Sequence, residues 1–139
     1  MRQSLSEKRS ALIAVGLSLL IAVIAIIDQA GSRSLAEHAS SGYAAYGKHV
    51  SAGVLYGMLY AVAVVDAPLW LLVAGLARSH RLVAGGIGVL VVLLTASLGI
   101  TLLAASEYGV HPYPPLWGLL ALLPAIAGAV ATALLFRRR

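Results

Sequence analysis

The chain has 139 residues, of which 60% are hydrophobic and 11% charged, with a formal charge of +5 and a pI near 10.0. So few charges cannot solvate a globular surface of this size, and the composition is that of an integral membrane protein. The absence of cysteine excludes disulfides, thiolate metal sites and thiol redox chemistry, while the basic excess sits mostly at the ends of apolar runs, which suits anionic lipid headgroups better than a nucleic-acid groove.

Met1 to Ser10 is polar and basic through Arg2, Lys8 and Arg9. Residues 11–28 form the first predicted helix, with nothing more polar than Ser18 before Asp28 and Gln29 close it. A basic head before an apolar stretch is also the pattern of a signal peptide. This stretch is longer than a usual signal core, and cleavage after Ala30 would put Asp28 where a small residue is wanted, so an uncleaved helix is expected. Residues 29–49 form an outer loop in which Ser34 and Glu37 have the spacing of a capping box, predicting a short interfacial helix from Ser34 that ends at Ser40, Ser41 and Gly42. Tyr43 and Tyr46 then share one side as a headgroup-level collar, with a ligand-binding lid as the competing reading.

The second predicted helix, residues 50–77, is the longest apolar segment and at 1.5 Å per residue spans roughly 42 Å, more than a bilayer core. It carries Asp66 near its middle. Arg78-Ser-His-Arg81 is a tight polar turn, and the third helix occupies residues 82–106 with Thr95, Ser97 and Thr101. Pro112, Pro114 and Pro115 forbid a continuous helix over 107–115. The fourth helix, residues 116–136, is closed by Arg137, Arg138 and Arg139.

This pattern predicts an all-α fold, a single domain over 1–139: an up-down bundle of four antiparallel transmembrane helices with both termini on one side. Eight basic residues (Arg2, Lys8, Arg9, Arg78, Arg81 and the terminal arginines) mark that side, against Arg33 and Lys48 on the other. Short basic flanks stay inside during insertion, so both termini are expected in the cytoplasm and the chain in the cell membrane.

Small-residue stripes suit close helix packing in lipid, where little hydrophobic drive acts between helices. Helix two has Gly53, Gly57 and Ala61, helix three Ala84 and Gly88, and helix four Ala121, Ala125, Ala129 and Ala133. Spacing leaves open whether they join helices within one chain or between chains.

Asp66 is the residue that most needs a reason, because a charged carboxylate at the bilayer centre costs about 2.5–3.5 kcal/mol on insertion scales. Counting inward from the basic ends, Asp66 is twelve residues from Arg78, Thr95 thirteen from Leu82 and Pro124 thirteen from Arg137. These three are therefore expected at one depth. Pro124 leaves the Leu120 carbonyl without its helical donor, and Pro68 does the same for Val64. A protonated Asp66 would donate to Leu120, or Thr95 would donate to an ionised Asp66. An acid beside two proline breaks suits proton or cation uptake, and the plainer alternative is a neutral interhelical hydrogen bond.

His38, His49, His111 and Glu107 all map to the outer side and are weak metal candidates, since they lack any fixed ligand spacing. His49 and His111 are the weak candidates for haem. No cofactor is expected, and neither a phosphate-binding Gly-rich loop, a nucleophile elbow nor a metalloprotease helix motif occurs. The expected role is a non-enzymatic accessory or structural subunit, or a homo-oligomer, with lipid and other membrane subunits as partners and no nucleic acid. The rivals are a proton- or cation-coupled transporter or channel subunit built on Asp66 and, more weakly, a redox subunit.

Overall fold

The computed structural model describes residues 2–137, and the side chains of all of these except Arg2, Gln3, Ser4 and Glu7. Arg138, Arg139 and the Arg2 side chain, three of the groups behind the expected orientation, lie outside the described residues. Five helices make up the fold: α1 (Arg2–Ala30), α2 (Ser34–Ala44), α3 (Ala52–Leu76), α4 (Arg81–Ala104) and α5 (Pro115–Phe136). α3, α4, α5 and the Lys8–Ala30 part of α1 are each long and apolar enough to cross a membrane. The fold is the expected all-α bundle.

Element ends differ from the expectation for identifiable reasons. α1 starts at Arg2 and not at residue 11, because the polar head has neither Gly nor Pro and continues the helix in good helix formers. α5 starts at Pro115, where the missing N–H is no loss. α2 runs through Ser40–Gly42 to Ala44, because Leu35, Ala39 and Tyr43 repeat every fourth residue and are all buried against the bundle. The rings of Tyr43 and Tyr46 consequently part: Tyr43 is core, and Tyr46 lies at the surface, its ring stacked on Tyr108 at 5.2 Å. The loop before α5 contains a tight turn in which Glu107 and Val110 exchange backbone hydrogen bonds, with positive φ at Tyr108 and Gly109.

The spanning helices form a ring in which α1 packs on α3 and α5, and α4 on α5, while the α3/α4 seam is thinly packed. One apolar cluster, including Ala11, Trp70, Ala77, Ala84 and Leu135, fills the end where α1 begins and α5 finishes. At that end Arg81 Nη2 donates to the Leu134 carbonyl at 3.1 Å, serving one of the unpaired carbonyls that close α5. A second cluster, including Leu35, Leu55, Tyr56, Tyr113 and Trp117, fills the other end beneath α2.

The stripes divide. α4 and α5 approach so closely that a Cβ on Gly88 would lie 2.6 Å from Thr132 Oγ1, and one on Gly118 2.4 Å from Leu103 Cγ. Ala84, Ala121 and Ala125 are buried as well, whereas Ala129 and Ala133 are exposed and Gly128 and Thr132 take their places. A strict four-residue step drifts about 40° per turn around a 3.6-residue helix, so the contact line moves off it. Gly53, Gly57 and Ala61 are all exposed on α3, and among the described residues nothing lies within 4 Å of a Cβ built on Gly57.

Candidate functional site

Between the two apolar clusters lies one polar layer. Asp66, 3% exposed and near the middle of α3, accepts from Ser18 of α1 at Oδ2 (2.5 Å) and from Thr95 of α4 at Oδ1. Three helices are thus tied at one level by a single carboxyl. The Trp70 indole on the next turn of α3 lies beside the same carboxyl without forming a hydrogen bond, and its ring occupies the space where a Cβ on Gly128 would fall 1.9 Å from Cζ2.

The proton count of this layer matters more than its distances. Ser18 Oγ also lies 2.9 Å from the Ala14 carbonyl, and Thr95 Oγ1 lies 2.8 Å from that of Val91. Each hydroxyl has one proton and two acceptors in reach. With Asp66 ionised, both protons go to the carboxylate. With Asp66 protonated, its O–H donates to one hydroxyl oxygen, which turns its own proton to the carbonyl four residues back, while the other hydroxyl continues to donate. Both states leave the carboxyl and the two hydroxyls partnered, with the Trp70 N–H beside them unpaired, and the change between them is a hydroxyl rotation. No Lys, Arg, His, Glu or second Asp occurs in residues 10–27, 52–65, 67–76, 82–104 or 115–136, so no other charged side chain shares the layer.

Of the residues expected around Asp66, Thr95 is a direct partner, acting as the donor. Pro124 is buried in α5, but the Leu120 carbonyl is not among the hydrogen-bond partners of Asp66. Pro68 is on the exposed side of α3, as is Val64 at 71%, so that break faces away from the carboxyl. Ser18 was the partner that sequence reasoning missed. The signal was available, since Ser18 is ten residues inward from Lys8 and Asp66 twelve from Arg78 at the same end.

Beside this layer a cavity of about 280 Å³ opens between α3 and α4, lined by Met58, Ala61, Val65, Asp66, Leu94 and Leu98 among others. It lies along the thinly packed seam. Thr101 is its other polar lining residue, and its hydroxyl is bonded within α4 to Ser97 O at 2.8 Å.

A second carboxyl, Asp28, organises the α2 end. Its Oδ1 accepts from Ser32 Oγ, Ser34 N and Ser34 Oγ, and its Oδ2 from Leu35 N and Tyr56 Oη. Five donors on one carboxyl is the acceptor-only chemistry of an ionised carboxylate. The Ser34/Glu37 capping box is therefore not what starts α2: Arg33 stands at the N-cap without a side-chain bond, and Asp28 supplies the acceptor from the preceding helix. Asp28 to Ser18 and Tyr56 to Asp66 are equal steps of ten residues, as antiparallel neighbours in one register require.

His38, His49 and His111 are not brought together with further ligands among the described residues. His38 Nε2 lies 3.0 Å from the His111 backbone carbonyl, His49 is exposed, and among the described residues no three His, Asp or Glu side chains are placed to hold an ion. Tyr113 donates to the Leu55 carbonyl at 3.0 Å, and burial pushes its phenol up to about 12. Burial, with Glu107 and Tyr108 nearby, also raises that of Tyr43, so both remain protonated at neutral pH.

Four spanning-length helices around a buried polar layer define a multi-pass membrane protein. Its chain matches no protein-family model, no curated protein and no solved structure at a significant level.

Proposed function

We propose that this is a non-enzymatic protein of the cell membrane, with both termini cytoplasmic, whose Asp66 takes up and releases a proton in a small proton- or cation-coupled transporter or channel subunit. The observation that carries this reading is the double acceptor reach of Ser18 and Thr95, which lets the layer hold Asp66 in either protonation state with the carboxyl and both hydroxyls partnered. In liposomes with an imposed pH gradient, the chain should dissipate the gradient, and Asp66→Asn should slow this at least tenfold while keeping helix content and oligomeric size. Full flux in the Asn variant would remove Asp66 from the function.

A second reading has its own observation. Gly53 and Gly57 lie exposed on α3, continued by Ala61 at the edge of the α3/α4 cavity, and among the described residues nothing covers Gly57, which suits a role as an accessory subunit or homo-oligomer. Stoichiometric recovery with other proteins in mild detergent, together with no proton flux from the isolated chain, would favour it.

A further inference from the structure

The α3/α4 cavity has one feature that separates it from an ordinary gap between helices: in an almost wholly apolar wall, Asp66 stands at its foot as the ionisable residue of the lining. From Asp66 it extends along α3 to Met58 and along α4 from Leu94 to Leu102, a length of about 12 Å, toward the α2 end of the bundle. Met58, Val65 and Leu94 at its rim are themselves 44%, 48% and 44% exposed, so it is entered from the lipid side. Thr101 has committed its proton within α4, so its oxygen can only accept, and Asp66, 3% exposed, is the one ionisable residue of the lining.

The chemistry of the occupant follows from that inventory. Ser18 and Thr95 use one acceptor position on each Asp66 oxygen, and a carboxylate offers about four, so acceptor capacity remains. No cationic side chain occurs in residues 10–27, 52–76, 82–104 or 115–136 to use it. A membrane lipid is the wrong shape for this cavity, because its charged end sits at the bilayer surface and would bring only acyl chain to the midplane carboxyl. A molecule with the opposite polarity fits: apolar body along Met58, Ala61 and Leu98, positive end at Asp66.

We propose that the α3/α4 cavity is a binding site for small lipophilic amines, held as ammonium against the Asp66 carboxylate. This rests on the reading of Asp66 as a proton-exchanging group and names what receives its proton. A neutral amine crosses the apolar rim, takes the proton of a protonated Asp66 on its nitrogen lone pair, and remains as the ammonium–carboxylate pair. Charge is conserved, and no charged species has to enter through lipid.

A matched pair of probes tests this, 4-phenylbutylamine and the nearly isosteric 4-phenylbutanol, titrated into the full chain in nanodiscs with empty nanodiscs as the blank for partition. Trp70, one turn from Asp66, makes tryptophan fluorescence a direct readout. The amine is expected to bind at least tenfold more tightly than the alcohol, and Asp66→Asn to abolish the difference. Ala61→Phe, which fills the cavity without touching the carboxyl, should weaken the amine at least fivefold and guards against an Asp66 variant that fails to fold. Equal binding of the two probes, or an amine preference that survives either substitution in folded protein, would overturn the proposal. An infrared carboxyl band lost in Asp66→Asn and titrating with bulk pH in the probe-free protein reads proton exchange separately. With that band titrating and no amine preference, the ligand assignment alone fails; with no titrating band, the proton reading fails as well.

Discussion

Asp28 and Asp66 are both buried carboxyls on spanning helices, yet their neighbours give them opposite chemistry. Asp28 receives five donors from residues 32–35 and Tyr56, two of them backbone N–H groups at the start of α2 that have no partner within that helix. Asp66 receives two hydroxyls, each able to turn elsewhere. The first arrangement has one good state and the second has two. Replacing Asp28 by Ala orphans the Ser34 and Leu35 amides and the Tyr56 phenol together, and the expected loss is on the order of 1–3 kcal/mol, read as a lower unfolding temperature in detergent with faster amide exchange confined to α2. Unchanged α2 exchange would mean that its apolar face alone holds it in place.

At the scale of the element, packing in lipid is decided by how near two backbones can come, and the glycines sort cleanly on that criterion. Gly128 of α5 lies beneath the Trp70 ring of α3, where a Cβ would meet Cζ2 at 1.9 Å. Gly57 of α3 has nothing within 4 Å of the same position. Both read in the sequence as small residues on apolar helices, and only the neighbour distinguishes them. Gly128→Ala is expected to cost about 1–3 kcal/mol through overpacking, displacing Trp70 and blue- or red-shifting its emission. Gly57→Ala should be neutral or slightly stabilising in the isolated chain, since Ala is the better helix former. A destabilising Gly57→Ala would point to a contact between copies on the outward face of α3.

The described residues form a ring of four helices, closely packed where α4 meets α5 and thinly packed where α3 meets α4, capped at one end by α2 and the turn at 107–110. Its two apolar clusters are joined across the single polar layer at Asp66, so movement along the α3/α4 seam is the motion that would alter access to that carboxyl with least disruption elsewhere. The cysteine-free background permits a direct test of how this ring sits in the membrane. Ser79→Cys, in the turn between α3 and α4, should react with an impermeant thiol reagent only after the cells are opened, whereas Ser106→Cys should react on intact cells. The reverse pattern would invert the proposed topology.

The order of elements was legible because the bilayer imposes a coarse rule that one sequence states clearly: apolar runs of 22–25 residues, punctuated by charges, prolines and tyrosines. Depth along the axis was legible too, since counting from the basic ends brought Thr95 to Asp66. What lay beyond the sequence was rotation about each helix axis. A helix apolar on every side carries little record of which face is covered, which is why Gly53, Gly57 and Ala61 turn outward, Pro68 turns away from Asp66, and Ser18 turns toward it. The composition determined that four helices cross and where their polar residues stand in height; only the packing of α1 against α3, and of α4 against α5, decided which of those residues meet.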